Sequence, residues 1–285
     1  MQIMSMLLLL STGLLFSCKK NEIINPEPVK EIFVNVGTHS LITYSVIKNS
    51  KYLVVFESGL GDSHESWTPT GKAEDILDFA NKIQSDILLY DRGGYGRSGN
   101  GSASRNINLL RAELEKVITQ LSDNRKVVLV GHSVGGLITR DYAIKNPGKI
   151  AGLLMVDPSH ENFNQPTQSI EDQLYSLFSS SYGANSGAAT EARQLIENLQ
   201  YTAVLPNLPN IPVIVLTSMK HDDANNTADA TYNKTRQDWY NAHEVLKNGV
   251  TDFTHVTTTK SGHYIHQEEP ALLLKNLKLL LSKLP

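Results

Sequence analysis

One serine lies in a five-residue pattern that could make it a nucleophile. Residues 131–135 read GHSVG, which fits the Gly-x-Ser-x-Gly turn between a strand and a helix. A β-branched run predicts a strand at 126–130, and a helical pattern follows over 134–145. Glycines suit such a turn because side chains there would collide with neighbouring backbone. Ser133 is therefore the candidate nucleophile; the alternative is a tight turn with an incidental serine.

A serine hydroxyl needs a base to take its proton, and the chain has nine histidines. His263 follows the last predicted strand and precedes a C-terminal helix predicted from Pro270. This order places His263 at the carboxyl edge of the sheet, where Ser133 is also expected. His132 is expected to point away from the site, and His266 to line it or to hydrogen-bond at the surface. His263 is the candidate base.

The base in turn needs a carboxylate that orients its imidazole ring. A strand predicted at 213–217 leads into Asp222 and Asp223 at the same edge. Asp222 is the preferred acid, and Asp223 is an alternative because the loop register is open by one residue. Asp157 ends the preceding predicted strand and is the third candidate, although the Asp157-Pro158 step is expected to be a structural turn.

Two backbone amides are candidates for binding the oxyanion of the transition state. One is the N–H of Val134, directly after the serine, and the other lies in the loop after the third predicted strand. That loop reads SGLG over residues 58–61, and its glycines let the backbone approach a ligand. Leu60 N–H is the preferred second donor.

Strand-like and helix-like segments alternate along most of the chain, which predicts a mostly parallel sheet flanked by helices. The first two strands are predicted to pair as an antiparallel hairpin. The alternation stops at about 159–210, where helical patterns at 169–179 and 190–205 predict an inserted helical cap. It then resumes, which gives one α/β domain over 31–285.

These segments together resemble the α/β-hydrolase fold superfamily over nearly all of residues 31–285. The resemblance rests on GHSVG, on ESGLG with Trp67, on DRGGYGRS at 91–98, and on SGH before Pro270. It implies a carboxylesterase-like or lipase-like serine hydrolase that works through an acyl-enzyme. A serine nucleophile argues against the dehalogenase and epoxide hydrolase members, which use a carboxylate there.

Two other functions are compatible with the same residues. An aminopeptidase or amidase would use the same triad and would need acidic cap residues to hold a substrate amine, for which Glu161, Glu171 and Asp172 are candidates. A catalytically inactive fold could serve in binding. Apolar cap residues are expected either to pack the cap helices together or to roof an acyl pocket: Leu174, Tyr175, Leu177, Phe178, Leu195, Ile196 and Leu199.

The N-terminus predicts export and membrane attachment. Residues 6–16 form an uncharged apolar run that is too short for a spanning helix of ~20 residues but suits a signal peptide. The sole cysteine, Cys18, follows directly and resembles a lipoprotein attachment site. We therefore expect a signal peptide at 1–17, lipidation at Cys18 and a tether at 18–30, on a protein facing the periplasm or cell surface. A plain cleaved signal or a buried N-terminal segment is the alternative.

The composition limits the partners. With 26 basic and 29 acidic side chains the net charge is −3, so no attraction to nucleic acid is expected. One cysteine excludes an intramolecular disulfide and a cysteine-rich metal site. The chain carries no phosphate-binding or dinucleotide glycine motif and no zinc-protease histidine motif. The expected partner is a small acyl substrate, with no cofactor and no metal.

Overall fold

The computed structural model describes residues 29–101, 104–220 and 230–285. Its strands are β1 (Lys30–Asn35), β2 (Ser40–Val46), β3 (Leu53–Glu57), β4 (Asp86–Tyr90), β5 (Val127–His132), β6 (Ile150–Val156), β7 (Val213–Ser218) and β8 (Phe253–Thr258). They form one sheet in the order β1-β2-β4-β3-β5-β6-β7-β8. The pairs β1–β2 and β2–β4 are antiparallel and the others are parallel. The predicted α/β class and the N-terminal hairpin are confirmed.

Helices fill most of the connections between strands. They are α1 (Ala73–Ile83), α2 (Ile107–Leu121), α3 (Val134–Lys145), α4 (Gln168–Tyr182), α5 (Gly187–Ala192), α6 (Leu195–Thr202), α7 (Ala230–Glu244), α8 (Ile265–Glu268) and α9 (Pro270–Ser282). Short 3₁₀ turns lie at His64–Trp67 and Val245–Lys247. Within the three ranges above, no helix is long and apolar enough to cross a membrane.

The central strands are buried on both faces, so they are continuous apolar runs with alternate side chains facing opposite ways. Val55 and Leu129 pack on one face in the same core as α2 and α3. Val54 and Val128 pack on the other face in the same core as α1 and α9. The two cores hold the sheet in place from both faces, and the sheet in turn positions the loops at its carboxyl edge.

The insertion between β6 and β7 contains α4, α5 and α6. The single helix predicted at 190–205 was wrong in extent, because the chain breaks at Arg193–Gln194 and forms two helices. The first of them begins earlier, at Gly187, since the Ser186 side chain accepts a hydrogen bond from Ala189 N and caps it.

The predicted signal peptide at 1–17 and the lipidation site Cys18 lie outside the described residues. So do the preferred acid Asp222 and its alternative Asp223.

Candidate active site

Ser133 lies on a strained turn between β5 and α3. Its φ is +53°, a left-handed value that is uncommon for residues with a side chain. The flanking glycines are required by space: a Cβ on Gly131 would lie 2.8 Å from Gly135 O, and one on Gly135 would lie 2.4 Å from Glu57 O. Backbone strain of this kind costs about 1–3 kcal/mol and clusters at functional sites. The predicted serine turn is formed.

The backbone of Ser133 is tied to the end of β6. Ser133 N donates to Val156 O at 3.2 Å, and Ser133 O accepts from Ser159 N at 3.0 Å. Asp157 lies directly after β6, between those two contacts, and also has a positive φ, +42°. Two strained residues therefore sit side by side at the carboxyl edge of the sheet.

The carboxylate of Asp157 is the partner of His263. His263 Nδ1 lies 2.7 Å from Asp157 Oδ2, and Asp157 Oδ1 accepts from Ser218 N and Trp239 Nε1, both at 2.8 Å. Burial alone would raise the pKa of Asp157, but the hydrogen bond and charge of His263 and the Ser218 N–H outweigh burial and lower it. Asp157 is therefore held as a carboxylate.

This arrangement changes the ranking of the three candidate acids. Asp157, ranked third and expected to be only a structural turn, contacts the predicted base, so that expectation was wrong. Its turn conformation is real, but it serves to aim the carboxylate at His263. Asp222 and Asp223, ranked above it, fall in the loop outside the described residues.

His263 has one ring nitrogen left for chemistry. Nδ1 faces Asp157, the His263 side chain is 41% exposed, and no described residue hydrogen-bonds to Nε2. Within the part of the chain that the structure describes, Ser133 Oγ and His263 form no hydrogen bond. Such contacts often tighten only when substrate is bound.

His132 does not point away from the site as expected. Its Nε2 lies 3.1 Å from the carbonyl oxygen of His263, and the two rings are 4.7 Å apart. A carbonyl only accepts, so His132 Nε2 donates. Burial lowers the pKa of His132 and keeps the ring neutral. His132 thus supports the backbone that carries the candidate base.

His266 also differs from the expectation. It is buried, not at the surface, and neither of its ring nitrogens has a hydrogen-bond partner among the described residues. Its ring packs between Trp67 and His132, so His266 acts as an apolar spacer under the site.

The predicted oxyanion residues lie with Ser133 on one cavity. Leu60, Ser133 and Val134 all line a cavity of about 360 Å³ between the cap and the sheet edge. Neither Leu60 N nor Val134 N donates a hydrogen bond to another of the described residues. Two free N–H groups beside a nucleophile are what an oxyanion hole requires.

The cavity is mainly apolar, and the described residues that line it include no charged side chain. The remaining lining residues are Leu137, Ser159, Phe163, Asn164, Gln165, Pro166, Ile170, Leu174, Leu195 and Leu199. Of the cap residues named as a possible roof, Leu174, Leu195 and Leu199 are among them. Leu177 is instead exposed, and the Phe178 ring packs against Gly61.

The cap acids considered for holding a substrate amine are all engaged elsewhere. Glu161 pairs with Arg140 at 2.8 Å. Glu171 accepts from Ile196 N at 3.1 Å, and Asp172 pairs with Arg193. No group of three histidine, cysteine or acidic side chains suited to a metal occurs in the described ranges.

The strained serine between β5 and α3, the parallel sheet and the inserted helices define the class of α/β hydrolases. Residues 52–278 match the family model described as alpha/beta hydrolase fold. The chain belongs to this family.

Relatives and solved structures resemble the chain to different extents. The chain is 27% identical over 225 residues to Uncharacterized protein YqjL of Bacillus subtilis, covering 79% of this chain and 81% of that protein. It is 32% identical over 114 residues to a proline iminopeptidase of Saccharolobus solfataricus, covering 39% of this chain but only 34% of the relative. The solved structure of a thermophilic esterase from Thermogutta terrifontis superposes with a TM-score of 0.67 at 15% identity, covering 89% and 98% of the two chains.

Proposed function

We propose that the protein is a serine hydrolase that cleaves a carboxylic ester through an acyl-enzyme. Ser133 is the nucleophile, His263 the general base and Asp157 the carboxylate that orients it. The observation that carries the proposal is the 2.7 Å contact between His263 Nδ1 and buried Asp157, at the sheet edge that also holds the strained serine. Asp157 thereby replaces Asp222 as the proposed acid.

The proposed reaction has two balanced halves. His263 Nε2 takes the hydroxyl proton as Ser133 Oγ bonds to the ester carbonyl carbon, and Asp157 stabilises the imidazolium that forms. The Leu60 and Val134 N–H groups bind the oxyanion. Collapse breaks the bond to the alcohol, which leaves with the proton from His263. Water then repeats the attack and releases the carboxylic acid.

The cavity favours a substrate that the protein recognises through an apolar acyl group. Its mainly apolar lining, with no charged side chain among the described residues, favours a hydrocarbon chain over an amine or a phosphate. Each buried methylene contributes ~0.8 kcal/mol, so kcat/KM should rise about fourfold per added carbon. The rise should stop once the chain fills the cavity.

Amide cleavage is the second candidate, because one relative is named a proline iminopeptidase. That relationship covers about a third of the relative, and the cap acids that could hold an amine are paired. p-Nitrophenyl esters of graded chain length compared with proline p-nitroanilide separate the two. Faster turnover of the esters by orders of magnitude supports the proposal, and faster turnover of the anilide would overturn it.

A fluorophosphonate probe tests whether Ser133 is an activated nucleophile. Peptide mass spectrometry should find the adduct on Ser133 in the wild type and no adduct in Ser133→Ala. Ser159→Ala is the matched control, because it removes another hydroxyl from the same cavity and should keep the label. Absence of labelling in folded wild-type protein would favour the inactive binding fold.

We also propose that the protein is exported and tethered to a membrane through lipidated Cys18. Support comes from the uncharged apolar run at 6–16 and the position of the sole cysteine directly after it. Cys18→Ser should move the protein from the membrane fraction to the soluble fraction, whereas Ser17→Ala, which keeps a small residue, should not. Membrane retention of Cys18→Ser would contradict the anchor.

A further inference from the structure

Arg92, in the loop after β4, uses every donor of its guanidinium inside the protein. Nη1 donates to Glu57 Oε1 at 2.8 Å and to Ser58 O at 2.6 Å. Nη2 donates to Gly59 O at 2.8 Å. Nε and Nη2 donate to the two oxygens of Glu191 at 2.9 and 2.8 Å. One buried side chain thus joins the loop after β3 to helix α5 of the cap.

Tyr95 makes a second link between the same two regions. Its hydroxyl accepts from Gly61 N at 3.2 Å and donates to Glu191 Oε2 at 2.8 Å. The Tyr95 ring also lies under the Arg92 guanidinium, 4.8 Å from its centre. Glu191 on the cap therefore accepts hydrogen bonds from both side chains, Arg92 and Tyr95, that contact the loop after β3.

These contacts fall on the two peptide groups that flank Leu60. Arg92 binds the carbonyl of the Gly59–Leu60 peptide, and Tyr95 binds the N–H of the Leu60–Gly61 peptide. A peptide group is planar, so fixing the Gly59 carbonyl also fixes the direction of the Leu60 N–H. Donation to that carbonyl polarises the group and strengthens its N–H as a donor.

We propose that Arg92, Tyr95 and Glu191 are positioning residues that hold the Leu60 N–H in the orientation needed to bind the oxyanion. The inference rests on the proposed serine hydrolase function. It makes the docked cap part of the oxyanion hole, because Glu191 supplies the anchor for both Arg92 and Tyr95. None of these three residues is among those that line the apolar cavity, so we expect their effect on the transition state and not on substrate binding.

Arg92→Lys tests the proposal, since lysine keeps the charge but lacks the planar set of five donors. We expect kcat to fall about tenfold or more, with KM changed less than about twofold. Affinity for an aryl boronic acid, which forms a tetrahedral adduct on the serine, should fall by the same factor as kcat. A purely structural role would lower the melting temperature and leave the boronate affinity unchanged.

Arg125→Lys is the matched control. Arg125 also joins backbone carbonyls, Ser50 O and Ser122 O, to a buried carboxylate, Asp86, but at the amino edge of the sheet. The Arg125→Lys variant should have a lower melting temperature and a kcat within about twofold of wild type. A fall in kcat and boronate affinity equal to that of Arg92→Lys would overturn the proposal.

Tyr95→Phe provides a second test if Arg92→Lys fails to fold. Loss of the hydroxyl frees Gly61 N–H and should lower kcat and boronate affinity together by about threefold to tenfold. Tyr142→Phe is its control, because that buried hydroxyl has no partner within the described ranges. Active wild type with an unaffected Tyr95→Phe variant would overturn this inference alone. Wild type without turnover or Ser133 labelling would overturn the proposed function.

Discussion

Two buried aspartates at opposite edges of the sheet accept nearly the same hydrogen bonds. At the carboxyl edge, one oxygen of Asp157 accepts from two N–H groups and the other faces His263. At the amino edge, one oxygen of Asp86 accepts from two backbone N–H groups, at 2.7 and 3.0 Å, and the other accepts from Arg125 at 2.6 Å. The number of bonds does not distinguish them.

The two aspartate clusters differ in the side chain that faces the second carboxylate oxygen. A guanidinium has donors only and cannot act as a base, so the Asp86 cluster can only hold β4 and its neighbouring loops together. A neutral imidazole ring can donate from one nitrogen and accept a proton at the other, and no described residue hydrogen-bonds to the second nitrogen of His263. Both clusters share burial and hydrogen bonding, so they differ in whether the partner of the carboxylate can accept a proton.

Replacing each aspartate by asparagine should give the largest separation between the two edges. Asp157→Asn should lower kcat by about 10⁴-fold, because the amide neither selects the needed tautomer nor stabilises the imidazolium. Asp86→Asn should leave kcat within about threefold. Steady-state hydrolysis of a p-nitrophenyl ester measures both. Equal losses would mean that the two clusters do not differ in function.

Asp86→Asn should instead lower the free energy of unfolding at pH 7 by about 1–3 kcal/mol. Burial alone would raise the pKa of Asp86, but hydrogen bonds from Ser50 and Arg125 lower it below its ordinary value. The stabilisation is therefore present above the unfolded-state pKa of about 3.9 and lost as pH falls through the lower folded-state pKa.

Urea unfolding of wild type and Asp86→Asn from pH 7 downwards measures this stabilisation. The difference between the two proteins should shrink below about pH 4. A difference that stays constant down to the acid transition would contradict the lowered pKa of Asp86.

Trp239→Phe should produce a smaller effect at the carboxyl edge. It removes one of the two donors to Asp157 Oδ1 and keeps an aromatic ring, so kcat should fall about threefold to tenfold. Tyr240→Phe, at the next position of α7, should leave kcat within about twofold. An unchanged Trp239→Phe variant would show that Ser218 N–H alone holds the carboxylate.

Asp222→Asn and Asp223→Asn should have the smallest effects, with kcat within about threefold of wild type. The reason is that His263 Nδ1 is already hydrogen-bonded to Asp157. A fall in kcat as large as that of Asp157→Asn in either variant would show that an aspartate of the loop after β7 is the acid.

The places of Ser133 and His263 in the fold could be predicted because their signals are local. The glycine pattern around Ser133 reflects steric limits within a few residues, and His263 follows the last strand before the last helix. The helices and strands that carry them were predicted to within a few residues for the same reason, since apolar periodicity is local.

The contact of His263 with Asp157 could not be predicted from sequence, because β6 and β7 both end at the same edge and each is followed by an aspartate. The deciding facts are the positive φ of Asp157 and the approach of Trp239 from α7, which depend on tertiary packing. The Arg92–Glu191 contact joins residues 99 positions apart, so no local pattern could indicate it.

Trapping the acyl-enzyme tests the central claim most directly. Wild type mixed with a p-nitrophenyl ester and quenched in acid during the burst should carry the acyl group on Ser133, identified by peptide mass spectrometry. In Asp157→Asn the same adduct should form far more slowly, in proportion to the loss of kcat. Turnover with no adduct on Ser133, or with the acyl group on another residue, would contradict the account.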